Sequence, residues 1–276
     1  MPELPEVETT RRGLIPSLKG RKILGVTKRR NKIRIAIPED FEKRIIGCRA
    51  LSVDRRAKYL QIPLDSGDVI ICHLGMSGKF TVRKIDSTPF EKHDHVIFET
   101  DRCEWIIYND PRRFGLITLC TQDELAGHKL FKKMAVEPLG NEFNGAYLKE
   151  KLKIKKSAIK INLLDQSVVV GLGNIYVCEA LNIALISPTK KASDLCIDDV
   201  ERLVVIIRDV LNRAIEAGGS SLKDFVGADG DLGYFQHQFV CYGREGEYCK
   251  NPGCIGEINR INQAGRSTFY CPECQK

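Results

Sequence analysis

A chain of 276 residues, 43% hydrophobic and 29% charged, is long enough for two domains and a small third module, each with a buried core. It has no apolar run of about 18 residues to span a membrane, and its acidic opening lacks the basic flank of a secretion signal, so a soluble, unexported protein is expected. Lysine and arginine outnumber the acids 43 to 36, and the net charge of +7 suits a polyanionic partner without requiring one.

The opening "MPELPEVETTRRGL" reads as a helix with a proline and three acids, Glu3, Glu6 and Glu8, near its start. Helix chemistry alone accounts for the pattern. Acids in a first turn complement the positive end of the macrodipole, and proline gives up an N–H that has no partner there. From residue 20 to about 120 the runs "KILGV", "KIRIAI", "KYLQIPL", "DVIICHL", "HVIFET", "EWIIYN" and "GLITL" carry β-branched and aromatic residues between turn signals, which predicts a β-sandwich or barrel. Two intervening segments, "CHLGMSGKF" and "NDPRRFG", each put a large apolar residue, Met76 or Phe114, in a loop beside glycine, histidine or arginine. Such a residue either packs into the core or serves as a wedge entering a base stack, with an arginine to satisfy an orphaned base. His93 and His95 of "KHDHV" are read as structural residues on one strand face.

The pattern changes near residues 139–145, "LGNEFNG", and short helices are expected over 144–153, 157–165 and 174–183. A long amphipathic helix follows from 198 to 217, with Val200, Leu203, Val204, Ile207, Val210, Leu211 and Ala214 on one face. The stretch "KEKLKIKKSAIK" carries six lysines and one acid, either a solvated face or a polyanion contact. In "GLGNIYVCEAL" two glycines precede a helix, so Asn174 reads as an N-cap beside exposed N–H groups that can hold an anion. The glycine-rich segment from about 217 to 235 is expected to be a mobile loop, a connector or a lid over a site.

Seven of the eleven cysteines are scattered, and several of them, as in "VIICHL" and "IYVCEAL", sit among apolar residues and read as buried thiols of a reducing compartment. The other four, Cys249, Cys254, Cys271 and Cys274, form C-x4-C-x16-C-x2-C, a zinc-ligand spacing. Sulfur fills all four positions and leaves none for a water nucleophile, so one structural Zn²⁺ is expected, contributing about 10 kcal/mol or more of folding energy. Cys241, eight residues before the first ligand, is a poor rival. The residues between the pairs read as a β-hairpin carrying Arg260 and Arg266, either a structural ribbon or a means of presenting arginine to a phosphate.

Taken together, "MPELPEVE", "KY", "HLGM", "NDPRRFG", "GLGNIY", "YGREG" and the cysteine ribbon closely resemble the formamidopyrimidine-DNA glycosylases, in that family's order and over essentially the whole chain. The sister family, endonuclease VIII, shares the architecture, but this opening looks more like the formamidopyrimidine branch. The resemblance implies a multidomain α+β fold: an N-terminal β-sandwich with flanking helices (1–130), a helix-two-turns-helix domain with a lesion-recognition loop near 217–235 (131–235), and a four-cysteine zinc finger with a β-hairpin (236–276). DNA would lie in the cleft between the halves.

It further implies a monomeric bacterial enzyme of the cytoplasm that excises oxidised purines from duplex DNA and cleaves the strand as an AP lyase. Pro2, freed by removal of Met1, would be the nucleophile, Glu3 the carboxylate moving protons at the sugar, Glu6 its support, and Lys58 the assisting lysine. His73, Asn174 and Arg266 would hold phosphates around the lesion, with Arg260 a further DNA contact and Lys160 near the damaged nucleotide. Met76, Arg112 and Phe114 would fill the gap left by the flipped base, Arg112 facing the opposite cytosine, while the glycine-rich loop closes over 8-oxoguanine. Two features depart from the family pattern: C-x4-C where x2 is usual, and Cys241 where an aliphatic residue is usual. An oxidised-pyrimidine glycosylase and a damage-binding protein without turnover are the competing readings.

Overall fold

The computed structural model describes residues 2–220, 228 and 233–276. They form two compact units, Met1–Lys132 with Ile215–Gln236, and Lys133–Ala214 with His237–Lys276. The helical stretch and the cysteine module thus share one unit, and the glycine-rich segment belongs with the β-rich one.

The first unit opens on helix α1 (Leu4–Leu18) and continues with β1 (Ile23–Lys28), a short helix α2 (Phe41–Ile45), and strands β2 (Asp54–Arg56), β3 (Tyr59–Pro63), β4 (Asp68–His73), β5 (Lys79–Lys84), β6 (Asp94–Thr100), β7 (Glu104–Asn109) and β8 (Leu116–Thr121). The strands pair antiparallel into two four-stranded sheets, ordered β1-β6-β7-β5 and β2-β3-β4-β8. Inward residues of both sheets, including Leu60, Ile62, Ile70, Cys72, Phe80, Phe98, Ile106 and Ile117, join Val7 and Leu14 of α1 and Phe41 of α2 in one core. This is the expected sandwich with flanking helices.

One local expectation fails, and one strand lies outside the predicted runs. "KIRIAI" is not a strand: Lys32 bridges Ala36 and Ile37 N–H donates to Asn31 O, so the backbone folds on itself while Ile33 and Ile37 still reach the core. Conversely "KFTVRK" is a strand, β5, at a sheet edge. Its Lys79, Thr81 and Arg83 are partly solvated, and a charged edge strand of this kind discourages pairing with other chains.

In the second unit, α4 (Gly145–Leu152), α5 (Ile159–Leu163), α6 (Asn174–Ile183) and α7 (Ile197–Glu216) follow the short α3 (Gln122–Leu125) that ends the first unit's strands. α5, a turning segment over 164–173 and α6 make the helix-two-turns-helix. Arg208 of α7 donates to the carbonyls of Pro138, Gly140 and Phe143 and fixes the connection into α4. The chain ends in a hairpin, β9 (Asn259–Gln263) and β10 (Arg266–Tyr270), closed by Ala264 and Gly265, both at positive φ as the two-residue turn requires. Among the described residues no helix is long and apolar enough to cross a membrane.

Candidate functional site

Glu3 caps α1 in an extended conformation, and its N–H donates to Glu6 Oε2 at 2.8 Å, the return half of a capping box. The other oxygen of Glu6 accepts from the N–H and the hydroxyl of Ser220, at 2.8 and 3.0 Å. Both glutamates are 1% exposed and Pro2 is buried beside them. Gly219, at φ +80°, lies so close that a Cβ would be 3.1 Å from the same carboxylate oxygen. The chain front and the root of the glycine-rich segment therefore meet at one carboxylate. Ser220 also bridges Tyr234, and Ala228 receives a hydrogen bond from Val82 N–H and packs on α1. Residues 221–227 and 229–232 of the segment expected to close over a lesion lie outside the described residues.

Glu8 has a different task. It accepts from Arg11 at 2.8 Å, Arg12 at 3.0 Å and Arg55 at 3.2 Å. Burial works to raise its carboxyl, but the hydrogen bonds and charges of these arginines outweigh it and hold the group below the usual carboxylate range. Arg55 also donates to Ala57 O, in the two-residue turn between β2 and β3 that carries Lys58.

The loops 73–78 and 110–115 are clasped by Asp110, which is fully buried. It accepts from the Ser77 hydroxyl at 2.7 Å and from Gly115 N–H at 2.8 Å, while Ser77 Oγ in turn accepts from Arg112 N–H. Glycine is required at the contact: a Cβ on Gly115 would sit 1.8 Å from the Tyr108 hydroxyl, and one on Gly75 2.4 Å from Gly115 N. The clasp presents Met76 and Phe114 around a cavity of about 490 Å³ that Arg34, His73 and Gly75 also line. Phe114 is 45% exposed, with the Arg112 guanidinium 5.0 Å from its ring centroid. His73 Nδ1 accepts from Gly75 N–H, which leaves the ring proton on Nε2. Burial first, then the charges of Lys58 and Arg34, push its pKa down to about 4. His95, bonded through Nε2 to Asp110 O, is structural as expected, whereas His93 precedes the strand.

In the second unit the cap of α6 is Gly173, not Asn174. Asn174 is spent on a longer-range contact, Nδ2 to Ser267 O at 2.8 Å. Lys160 meets it there: fully buried, its ammonium donates to Ser267 O and the Thr268 hydroxyl, and burial lowers its pKa. Both residues thus pin the start of β10, where Arg266 stands exposed. Arg260 reaches Ser267 Oγ and lies over Phe269. Glu179 of α6, 1% exposed, accepts from the successive N–H groups of Val240, Cys241 and Tyr242 and so docks the approach to the cysteine module. The four sulfurs of Cys249, Cys254, Cys271 and Cys274 lie within 4.8 Å of one another, with pairs at 3.7 and 3.6 Å. Four sulfurs each about 2.3 Å from a central zinc would be about 3.8 Å apart, so the cluster fits a tetrahedral ion. Cys241 stands outside this group; its thiol donates to Cys178 O.

The family model described as the formamidopyrimidine-DNA glycosylase N-terminal domain matches residues 1–117, and the one described as the H2TH domain of the same enzymes matches residues 134–226. The chain belongs to the formamidopyrimidine-DNA glycosylase family. Relatives bearing that name in Afipia carboxidovorans and a Caulobacter species are each 50% identical, with all of both chains covered. Among solved structures, a Lactococcus lactis Fpg variant in complex with DNA containing Fapy-dG is 36% identical with a TM-score of 0.92 over all of both chains. The Lactococcus lactis Fpg bound to DNA with an abasic site matches at 0.90 and 36% over 99% of each. The family is one of DNA glycosylases with AP lyase activity on damaged DNA, and this chain carries its fold throughout.

The sequence did not mark out Asp110, Ser77 or Glu179. Each is a polar residue with at least one partner in another segment, so local spacing alone does not signal it. Asp110→Ala would strand the Ser77 hydroxyl and the Gly115 N–H, and a loss of about 2–4 kcal/mol in urea unfolding is expected. His73 gives a pH signature. Its depressed pKa means that the unfolded chain takes up a proton first as pH falls, so the stability from neutral His73 is full above about 6.5 and drains between about 6.5 and 4. Over that window His73→Gln should lose less stability than the parent protein, by at most about 3 kcal/mol.

Proposed function

We propose that this glycosylase excises oxidised purines, 8-oxoguanine and formamidopyrimidines, from duplex DNA through an iminium on Pro2, and then cleaves the strand by β- and δ-elimination. The observation that carries the reading is the buried Glu3–Glu6 capping box at the chain front. It would hold a terminal secondary amine and a carboxylate side by side once Met1 is removed.

An amine attacks only when unprotonated, and a terminal amine of pKa near 8 is about 10% neutral at pH 7, against well under ~0.1% for a lysine. Proline's greater basicity and the nearby Glu3 favour protonation, and the positive charge of Lys58 opposes it. Attack of the Pro2 nitrogen on C1′ expels the base, which leaves with a proton. Glu3 delivers a proton to the ring oxygen, the sugar opens, and the C1′–N bond becomes an iminium. That positive charge acidifies C2′–H, whose removal expels the 3′ phosphate; loss of C4′–H from the resulting conjugated iminium then expels the 5′ phosphate, and water hydrolyses the C1′–N bond to free Pro2. One nucleophile serves both activities.

On the DNA, His73 through Nε2–H, Asn174 through its second amide N–H, and Arg266 are proposed to hold phosphates, with Arg260 beside them. Met76, Arg112 and Phe114 would fill the space of the extruded nucleotide, whose flipping costs a few kcal/mol. The buried Lys160 would act by fixing the hairpin that presents Arg266 near the damaged nucleotide. The segment near 217–235 would close over the base. Zn²⁺ on Cys249, Cys254, Cys271 and Cys274 would supply a structural cross-link and no reacting ligand, because all four ligands are protein sulfurs. The enzyme is read as a monomer acting on double-stranded DNA in the bacterial cytoplasm. Residues 1–130, 131–235 and 236–276 would form its sandwich, helical and zinc-finger segments.

Duplexes with 8-oxoguanine or thymine glycol separate this reading from an oxidised-pyrimidine enzyme. Faster excision of 8-oxoguanine is expected, with a borohydride-trapped adduct that Pro2→Gly abolishes. A preference for thymine glycol, or tight damage binding with no adduct from processed protein, contradicts it. Cys271→Ser should lose zinc by mass spectrometry and weaken DNA binding by about tenfold or more; unchanged metal content would count against the site.

A further inference from the structure

Two of the contacts of Arg55 do unlike things. Through Nε it meets Glu8 of α1 at 3.2 Å, and through Nη1 it donates to Ala57 O at 2.9 Å. That carbonyl belongs to the Ala57–Lys58 peptide unit, so holding it sets the plane from which the Lys58 side chain departs. Ala57 is 1% exposed at φ +54°, a left-handed conformation that an alanine adopts only where its surroundings impose it. The side chains of Glu8 and Arg55 are each 11% exposed, so the link is shielded from solvent.

Helix–strand docking alone does not account for Arg55. Arg11, also bonded to Glu8, already ties α1 to this region through Val53 O at 3.0 Å. The second bond of Arg55 returns to its own turn and adds nothing to that docking. We infer that Arg55, oriented by Glu8, is a positioning residue for Lys58: it passes the placement of the helix that carries Pro2, Glu3 and Glu6 to the turn that presents the lysine. The inference rests on the role proposed for Lys58.

A double-mutant cycle tests it on the full-length, processed enzyme with an 8-oxoguanine duplex. Arg55→Ala should lower kcat about tenfold or more while KM stays within about twofold, because the lysine is misplaced and DNA contacts are not. Combined with Lys58→Ala it should be no slower than Lys58→Ala alone, within about twofold, since residues acting through one another do not add. Arg55→Lys, which cannot span both partners, should stay slow yet bind DNA normally, and it carries the same cycle if Arg55→Ala does not fold. Multiplied losses in the double variant would overturn the positioning role and leave that of Lys58 intact. If instead Lys58→Ala excises at the parent rate, the lysine's role fails and this inference fails with it.

Discussion

The site at the chain front is organised by one buried carboxylate. Glu6 receives the N–H of Glu3 on one oxygen and the N–H and hydroxyl of Ser220 on the other. A chain terminus ordinarily frays, and a terminal amine that swings freely cannot be aimed at a sugar. Here the first turn is closed by a reciprocal cap, and its far side is anchored to the segment that follows α7. Placing an ionisable group at 1% exposure is costly unless hydrogen-bond donors meet it, and the N–H of Glu3 with the N–H and hydroxyl of Ser220 do so.

Comparable clasps by buried polar groups recur among the described residues. Asp110 gathers Ser77 and Gly115 so that Met76 and Phe114 line one cavity, with the Arg112 guanidinium against the Phe114 ring. Glu179 clasps three successive N–H groups where the chain turns toward the cysteine module. Lys160 and Asn174 converge on a single carbonyl next to Arg266. At Asp110 and at the Lys160–Asn174 pair a buried polar contact supports an exposed group on a loop or hairpin, the arrangement that lets loops carry precise chemistry.

Much of this was legible because it depends on local pattern. The period of α7, the limits of α6 and the presence of the terminal hairpin follow from apolar spacing and turn residues, and the cysteine spacing brought four sulfurs together. The failures have physical causes. "KIRIAI" needed only Ile33 and Ile37 buried, which a backbone folded on itself achieves as well as a strand. The largely solvated pattern of β5 gave no clear alternation to mark it as a strand. Asn174 looked like a cap because sequence shows its neighbours and not Ser267, 93 positions away. Buried carboxylates are the least legible of all, since an acid in a loop reads as solvated until its distant donors are known. The roles at Pro2, Glu3 and Lys58 came from motif resemblance, while spacing alone explained the same acids by helix chemistry.

The chemistry proposed for the chain front turns on which nitrogen would join the sugar. Peptide mapping by mass spectrometry of the borohydride-reduced complex between active enzyme and an 8-oxoguanine duplex locates that atom. The expected result is the deoxyribose remnant on the terminal nitrogen of the peptide that begins at Pro2. A remnant on Lys58 or Lys160, or full activity from protein that retains Met1, would contradict it.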